Sequence, residues 1–194
     1  MKKVFLSCVF LALALTGCGG NKPAETASAA ADRSPTVAEL DREERTDMIF
    51  TVEGQTERVP AALFIGRGYS IYIPEEGWRL EQESEGHVAA DTWESTVNND
   101  VELQVLHYSV YPDASLEVTK ANFAATSGYV FEDLLGGDLG DPLAGVDEDG
   151  DFLRFMAAEG ADGSTYVIAW EYPGAAEGFG TRLAQIADTF QLME

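Results

Sequence analysis

The residues whose types could do chemistry are few, and most of them are acids. Asp147-Glu148-Asp149-Gly150-Asp151, with Asp138 and Asp141 close by in sequence, offers hard carboxylate oxygens of the kind that hold Ca²⁺ or Mg²⁺. The spacing departs from an EF-hand loop, because the glycine comes too early and no bidentate glutamate follows at the required distance. The same run also reads as an exposed turn feeding a strand, with Gly150 placed there for its backbone conformation. The turn is preferred, and no metal ligand is assigned. Acids abound, so a carboxylate pair for glycoside hydrolysis is the enzymatic alternative, but that chemistry is set by the distance between two carboxyl groups. A sequence holds no such distance.

Other catalytic groups are sparse. There are two histidines. His107 shares the parity of Val105 in an apolar run and is expected to be a half-buried sheet residue. His87 follows Glu83-Ser84-Glu85-Gly86 and is expected in a solvated loop. There is no Gly-x-Ser-x-Gly elbow, no His-Glu-x-x-His pair and no glycine-rich phosphate loop. After the basic N-terminus, lysine occurs only at Lys22 and Lys120, which further weakens phosphate chemistry. The expectation is a non-enzymatic chain with no cofactor.

At the N-terminus, Lys2 and Lys3 precede the apolar run Val4 to Leu15, the layout of an export signal. The run is too short to span about 30 Å of hydrocarbon as a helix. It closes on Leu15-Thr16-Gly17-Cys18, which resembles a bacterial lipobox. The resemblance implies that residues 1–17 are a signal peptide, that the Cys18 thiol is diacylglycerated, and that cleavage makes Cys18 the new N-terminus. An ordinary secretory signal with a chance cysteine is the alternative. Cys8 lies inside the apolar run, so the processed chain would keep no cysteine for a disulfide, a thiolate metal site or a nucleophile. Two or three acyl chains would anchor it firmly, whereas one myristoyl chain gives only about 10⁴ M⁻¹. The implied address is the extracytoplasmic face of the cell membrane, or a periplasmic leaflet in a cell with two membranes.

Residues 18–46 read as a lipidated cysteine and flexible tether. Ala, Ser, Thr, Pro and Glu dominate, too little apolar surface to offset ordering entropy. Within it, Val37 to Arg45 could form a short solvated helix capped by Ser34 with Pro35 in its first turn. Residues 47–194 are long enough for one globular domain.

The chain carries 12 basic and 34 acidic residues, a net charge of −22. Removing Lys2 and Lys3 leaves 10 against 34, or −24. Such a charge argues against nucleic acid and against docking on bare anionic lipid. It is compatible with an envelope protein or cationic ligand as partner, with divalent ions, or simply with solubility.

Period-two alternation then marks the strands. Met48–Val52 is the first, Glu53 to Glu57 a turn, and Val59 to Gly66 the second, with Ala61, Leu63 and Ile65 on one side. Tyr69 to Ile73 alternates cleanly, Pro74 ends its ladder, and Trp78 is expected to close over the core. Trp78 to Glu83 and Asp91 to Thr96 form further arms, and Val101 to Tyr111 is apolar on both faces, as in a sheet covered on both sides. Ser115 to Thr126 reads as a helix, Tyr129 to Leu135 as a strand, and Asp151 to Glu159 with Ser164 to Tyr172 as a hairpin. In the last segment, Ala175 to Thr189, Phe179, Leu183, Ile186 and Phe190 recur at helical spacing.

This order predicts an α+β fold, a mainly antiparallel sheet flanked by a mid-chain helix and a C-terminal helix. The phrase Tyr69-Ser70-Ile71-Tyr72-Ile73-Pro74 with Gly77-Trp78, and Ile186-Ala187-Asp188-Thr189-Phe190 near the end, resembles the PsbP-like group of bacterial lipoproteins and exported domains. The likeness covers most of residues 60–194. It implies an α/β/α sandwich and an extracytoplasmic setting, and it transfers no catalytic residue. The leading hairpin and the strong acidity lie outside that pattern.

Overall fold

The structure is a computed structural model and describes residues 40–109, 115–132, 134 and 136–193. Cys18, the apolar run before it, most of the expected tether and Val110 to Asp113 lie outside the described residues.

Strands β1 (Arg45–Val52), β2 (Gln55–Ile65) and β3 (Tyr69–Pro74) are followed by β4 (Trp78–Glu85), β5 (Val88–Ser95) and β6 (Glu102–Tyr108). Helix α1 (Leu116–Thr126) precedes β7 (Val130–Phe131), β8 (Leu143–Val146), β9 (Phe152–Glu159) and β10 (Thr165–Tyr172). A 3₁₀ turn at Gly174–Ala176 leads into α2 (Glu177–Ala187), and β11 (Gln191–Leu192) closes the fold. The strands form two sheets, β1-β2-β3-β11 and β4-β5-β6-β10-β9-β8-β7, and every strand pair is antiparallel.

Local chemistry accounts for the joints. The first hairpin turns on Glu53 and Gly54, with φ of +51° and +77°, the geometry of a type I′ turn that matches strand twist. The expected turn through Glu57 is therefore too long, because the two-residue turn lets Gln55, Thr56 and Glu57 join the ladder opposite Val52, Thr51 and Phe50. Ser115 caps α1, its hydroxyl accepting from the Val118 N–H at 3.4 Å.

The seven-stranded sheet is covered on both faces, as the apolar pattern of β6, β9 and β10 requires. One face packs against the four-stranded sheet and α2, burying Phe50, Tyr69, Ile71, Trp93, Leu103, Ile168, Trp170, Leu183, Ile186 and Phe190. The other packs against α1, burying Leu106, Phe123, Leu153, Phe155, Val167 and Ala169. The α+β class with one helix on each face of a sheet is thus the observed one. The second sheet is an addition to that expectation.

Several expectations shift. Two short strands, β8 and β11, carry no alternation of useful length, and among the described residues of Tyr129 to Leu135 only Val130 and Phe131 form a strand, β7. The last helix stops at Ala187, where Asp188 caps it, yet Phe190 beyond it is still buried against Tyr69 and Tyr166. Trp78 packs against the core, as expected, but from its margin. It is half-buried at the sheet end, and Trp93 and Trp170 fill the interior instead. In β2, Ala61 is buried but Phe64, rather than Leu63 or Ile65, reaches the core, edge-on to Trp93 at 5.0 Å.

Packing also begins before residue 47. The Arg42 guanidinium donates to Ser70 Oγ and the Thr189 carbonyl, each at 2.8 Å, and lies 4.4 Å from the Tyr72 ring centroid. Residues 40–44 are turn and bend rather than helix, and Arg45 is already in β1. Arg42 is held because three groups from β3 and the C-terminal segment converge on it, which composition alone does not reveal.

Candidate functional site: a row of carboxylates across three strands of the larger sheet

Register brings together three glutamates that are distant in sequence. Glu94 on β5 lies opposite Glu102 on β6, and Glu102 lies opposite Glu171 on β10. Side chains alternate along a strand, so the three share the α1-side face with Gln104 and Leu106. Neighbouring strands are about 4.8 Å apart, so like charges here stand side by side. Glu81 on β4 is one step away, opposite Thr92.

The counter-groups are unequally shared. Arg79 pairs with Glu94 and, at 3.3 Å, with Glu81. The Tyr129 hydroxyl hydrogen-bonds with Glu171. Gln104 donates instead to Thr92 Oγ1 at 3.0 Å. Among the described residues, none gives the central Glu102 carboxylate an ion pair or a hydrogen bond. Burial, then the negative charges of Glu171, Glu94 and Glu81, push the Glu102 carboxyl up to about 7. Burial also raises Glu171, helped by Asp151, Asp147 and Asp100 and opposed by its bond with Tyr129. The Tyr129 phenol is raised by burial and by the same carboxylate.

The acidic turn adjoins this row without being a cage. Asp147 Oδ1 accepts from the N–H groups of Asp149 and Asp151 at 3.0 and 2.8 Å, and Gly150 has φ +84°. Asp151 Oδ1 accepts from the Gly174 N–H at 3.2 Å. Asp147 and Asp151 are therefore engaged with backbone, and the run is a turn feeding β9, as its glycine suggests. Asp138 is elsewhere, 3.3 Å from the Lys120 ammonium, which also bonds the Gly136 carbonyl at 2.8 Å and Glu117 at 2.7 Å. Burial alone would lower that ammonium, but its bonds with Glu117 and Asp138 outweigh this and hold it above the usual lysine value.

His107 is buried, 6% exposed, on the opposite face, its ring 4.9 Å from that of Tyr166. On that face the Tyr69 hydroxyl donates to Asp91 Oδ2 at 2.5 Å, tying the two sheets together. Burial, then the Asp91 charge and this bond, keep the Tyr69 phenol protonated far above its ordinary range. His87 is exposed.

Two adjoining hollows, about 420 and 790 Å³, meet where the β1–β2 turn faces the start of α2. Val52, Glu53 and Arg182 line both, and Arg182 is paired with Glu57 at 2.6 Å. The carboxylate row does not enter either of them. It sits on the α1-side face of the larger sheet. No signal in the sequence could have found the row, because its members belong to three strands with unknown partners.

The elements define an α+β domain of two antiparallel sheets and two helices. No protein-family model and no curated protein matches the sequence. Among solved structures, the chain is similar to the solution structure of cyanobacterial PsbP (CyanoP) from Synechocystis sp. PCC 6803. The likeness has a TM-score of 0.45 at 14% identity and covers 64% of this chain and 86% of that one.

Proposed function

We propose that this protein is a membrane-anchored extracytoplasmic lipoprotein whose folded part is a non-enzymatic binding or accessory module of the cell envelope, with a PsbP-like domain. The observation that carries the anchoring is Leu15-Thr16-Gly17-Cys18 at the end of a short apolar run behind two lysines. The non-enzymatic part rests on the motifs the sequence lacks and on the separation of the carboxylate row from the hollows. Net charge makes a cationic ligand or an envelope protein a better partner than nucleic acid.

Cys18→Ser tests the anchor. The substituted chain leaves the membrane fraction or accumulates uncleaved, and it takes up no labelled fatty acid. A processed, membrane-bound Cys18→Ser protein would overturn the lipoprotein reading. A second reading, an envelope-polymer hydrolase, draws on one observation, the carboxyl of Glu102, raised by burial and by its acidic neighbours, directly opposite Glu94. Turnover of peptidoglycan or oligosaccharide that is lost in Glu102→Gln would establish it.

A further inference from the structure

Like charges directly opposite on neighbouring strands destabilise a sheet. Here three such carboxylates occupy β5, β6 and β10, and β10 is the middle strand of the seven. Their surroundings offer the central one little relief. From β4, Arg79 is spent on Glu81 and Glu94, and Glu81 itself adds negative charge. From the segment after α1, the Tyr129 hydroxyl serves Glu171. From the loops, Asp100, Asp147 and Asp151 raise Glu171 further. Glu102 is half-buried and has two carboxylate neighbours in its own row. The simplest way to remove the conflict is a proton.

We propose that the Glu94–Glu102–Glu171 row is a proton-responsive element, in which Glu102 is protonated in the folded protein under mildly acidic conditions and its deprotonation loosens the end of the sheet where β5, β6 and β10 run side by side. The sign follows from linkage. A carboxyl held near 7 in the fold, against 4.5 as its ordinary value, binds its proton more tightly folded than unfolded. Folding then takes up close to one proton in that window, so stability falls as pH rises through it and levels off above about 7. Glu102 thus makes the domain less stable on the way up to neutrality. The element depends only on the fold and holds whether or not Cys18 carries lipid.

The test follows chemical denaturation of the full chain from pH 4.5 to 9 at fixed ionic strength, together with the titration of the Glu102 carboxyl by carbon NMR. The expected result is a Glu102 midpoint near neutrality and a wild-type loss of stability across the window that Glu102→Gln clearly lessens. Glu94→Gln should move the midpoint down by removing a like charge. Arg79→Met should move it up by releasing two carboxylates from their cation. Opposite shifts from these two are not produced by general loosening. A Glu102 midpoint in the ordinary carboxylate range, or a Glu102→Gln slope equal to wild type, overturns the proposal. Should Glu102→Gln fail to fold, the wild-type carboxyl titration alone decides between the two.

Discussion

The two faces of the seven-stranded sheet solve the same problem in different ways. The face toward the four-stranded sheet and α2 is closed. Trp93, Leu103, Trp170, Ile168 and Phe190 fill it, and the polar Tyr69 is matched to Asp91. The face toward α1 is closed only in part. It passes from Leu106, Val167 and Phe155 under the helix to Glu102 and Glu171 at the sheet's end. The first face is almost wholly apolar, matching Tyr69 to Asp91 but leaving the buried Trp170 indole N–H without a hydrogen-bond partner among the described residues, and the second sets like charges side by side. The difference teaches that stability is concentrated on one side of the sheet, leaving the other free to carry groups that weaken the fold.

Substitutions on the closed face should break this comparison most sharply. Trp170→Ala and Phe190→Ala should each lower stability by about 3–5 kcal/mol, since both side chains are buried, Phe190 against Tyr69 and Tyr166. Trp78→Ala should lose clearly less, because that ring is half-buried. Denaturant midpoints that rank Trp78 with Trp170 would contradict the packing described.

Next come the two polar ties. Tyr69→Phe leaves Asp91 Oδ2 without its donor between the sheets and should lower stability by about 1–3 kcal/mol. Lys120→Met should have a similar effect of about 1–3 kcal/mol, because the buried ammonium holds the Gly136 carbonyl as well as Glu117 and Asp138. Its signature is local. Amide exchange should quicken at Ala157, whose N–H donates to the Gly137 carbonyl at 2.7 Å, before it quickens in β6. Uniform acceleration throughout the sheet would mean that Lys120 does not act through that loop.

The smallest effect should come from ions at the acidic turn. Asp147 and Asp151 spend oxygens on backbone N–H groups, so calcium and sodium at equal ionic strength should give nearly equal melting temperatures. Asp149→Asn should change neither. A calcium-specific rise that Asp149→Asn abolishes would show that the turn opens to take an ion.

Much of the local structure was legible in the chain. The strict alternation of Tyr69 to Ile73 gave β3, and the two-sided apolar runs around Leu103 and Ile168 gave strands covered on both faces. The Leu183–Ile186 spacing gave the buried stripe of α2, and Gly150 gave the turn before β9. His107 could be placed in the sheet by its parity with Val105, because a side chain's face follows from its position in the strand.

Which strand lies beside which was not legible. Alternation fixes the face that a residue presents and says nothing about its neighbour, so pairing between β6 and β10 had to come from long-range packing. That pairing alone sets Glu102 beside Glu171. The division into two sheets, the short β8 and β11 that find their partners without any pattern of their own, and the burial of Lys120 under a distant loop were likewise decided in three dimensions. Each joins residues far apart in the chain, where the free energy comes from contacts that no local window contains.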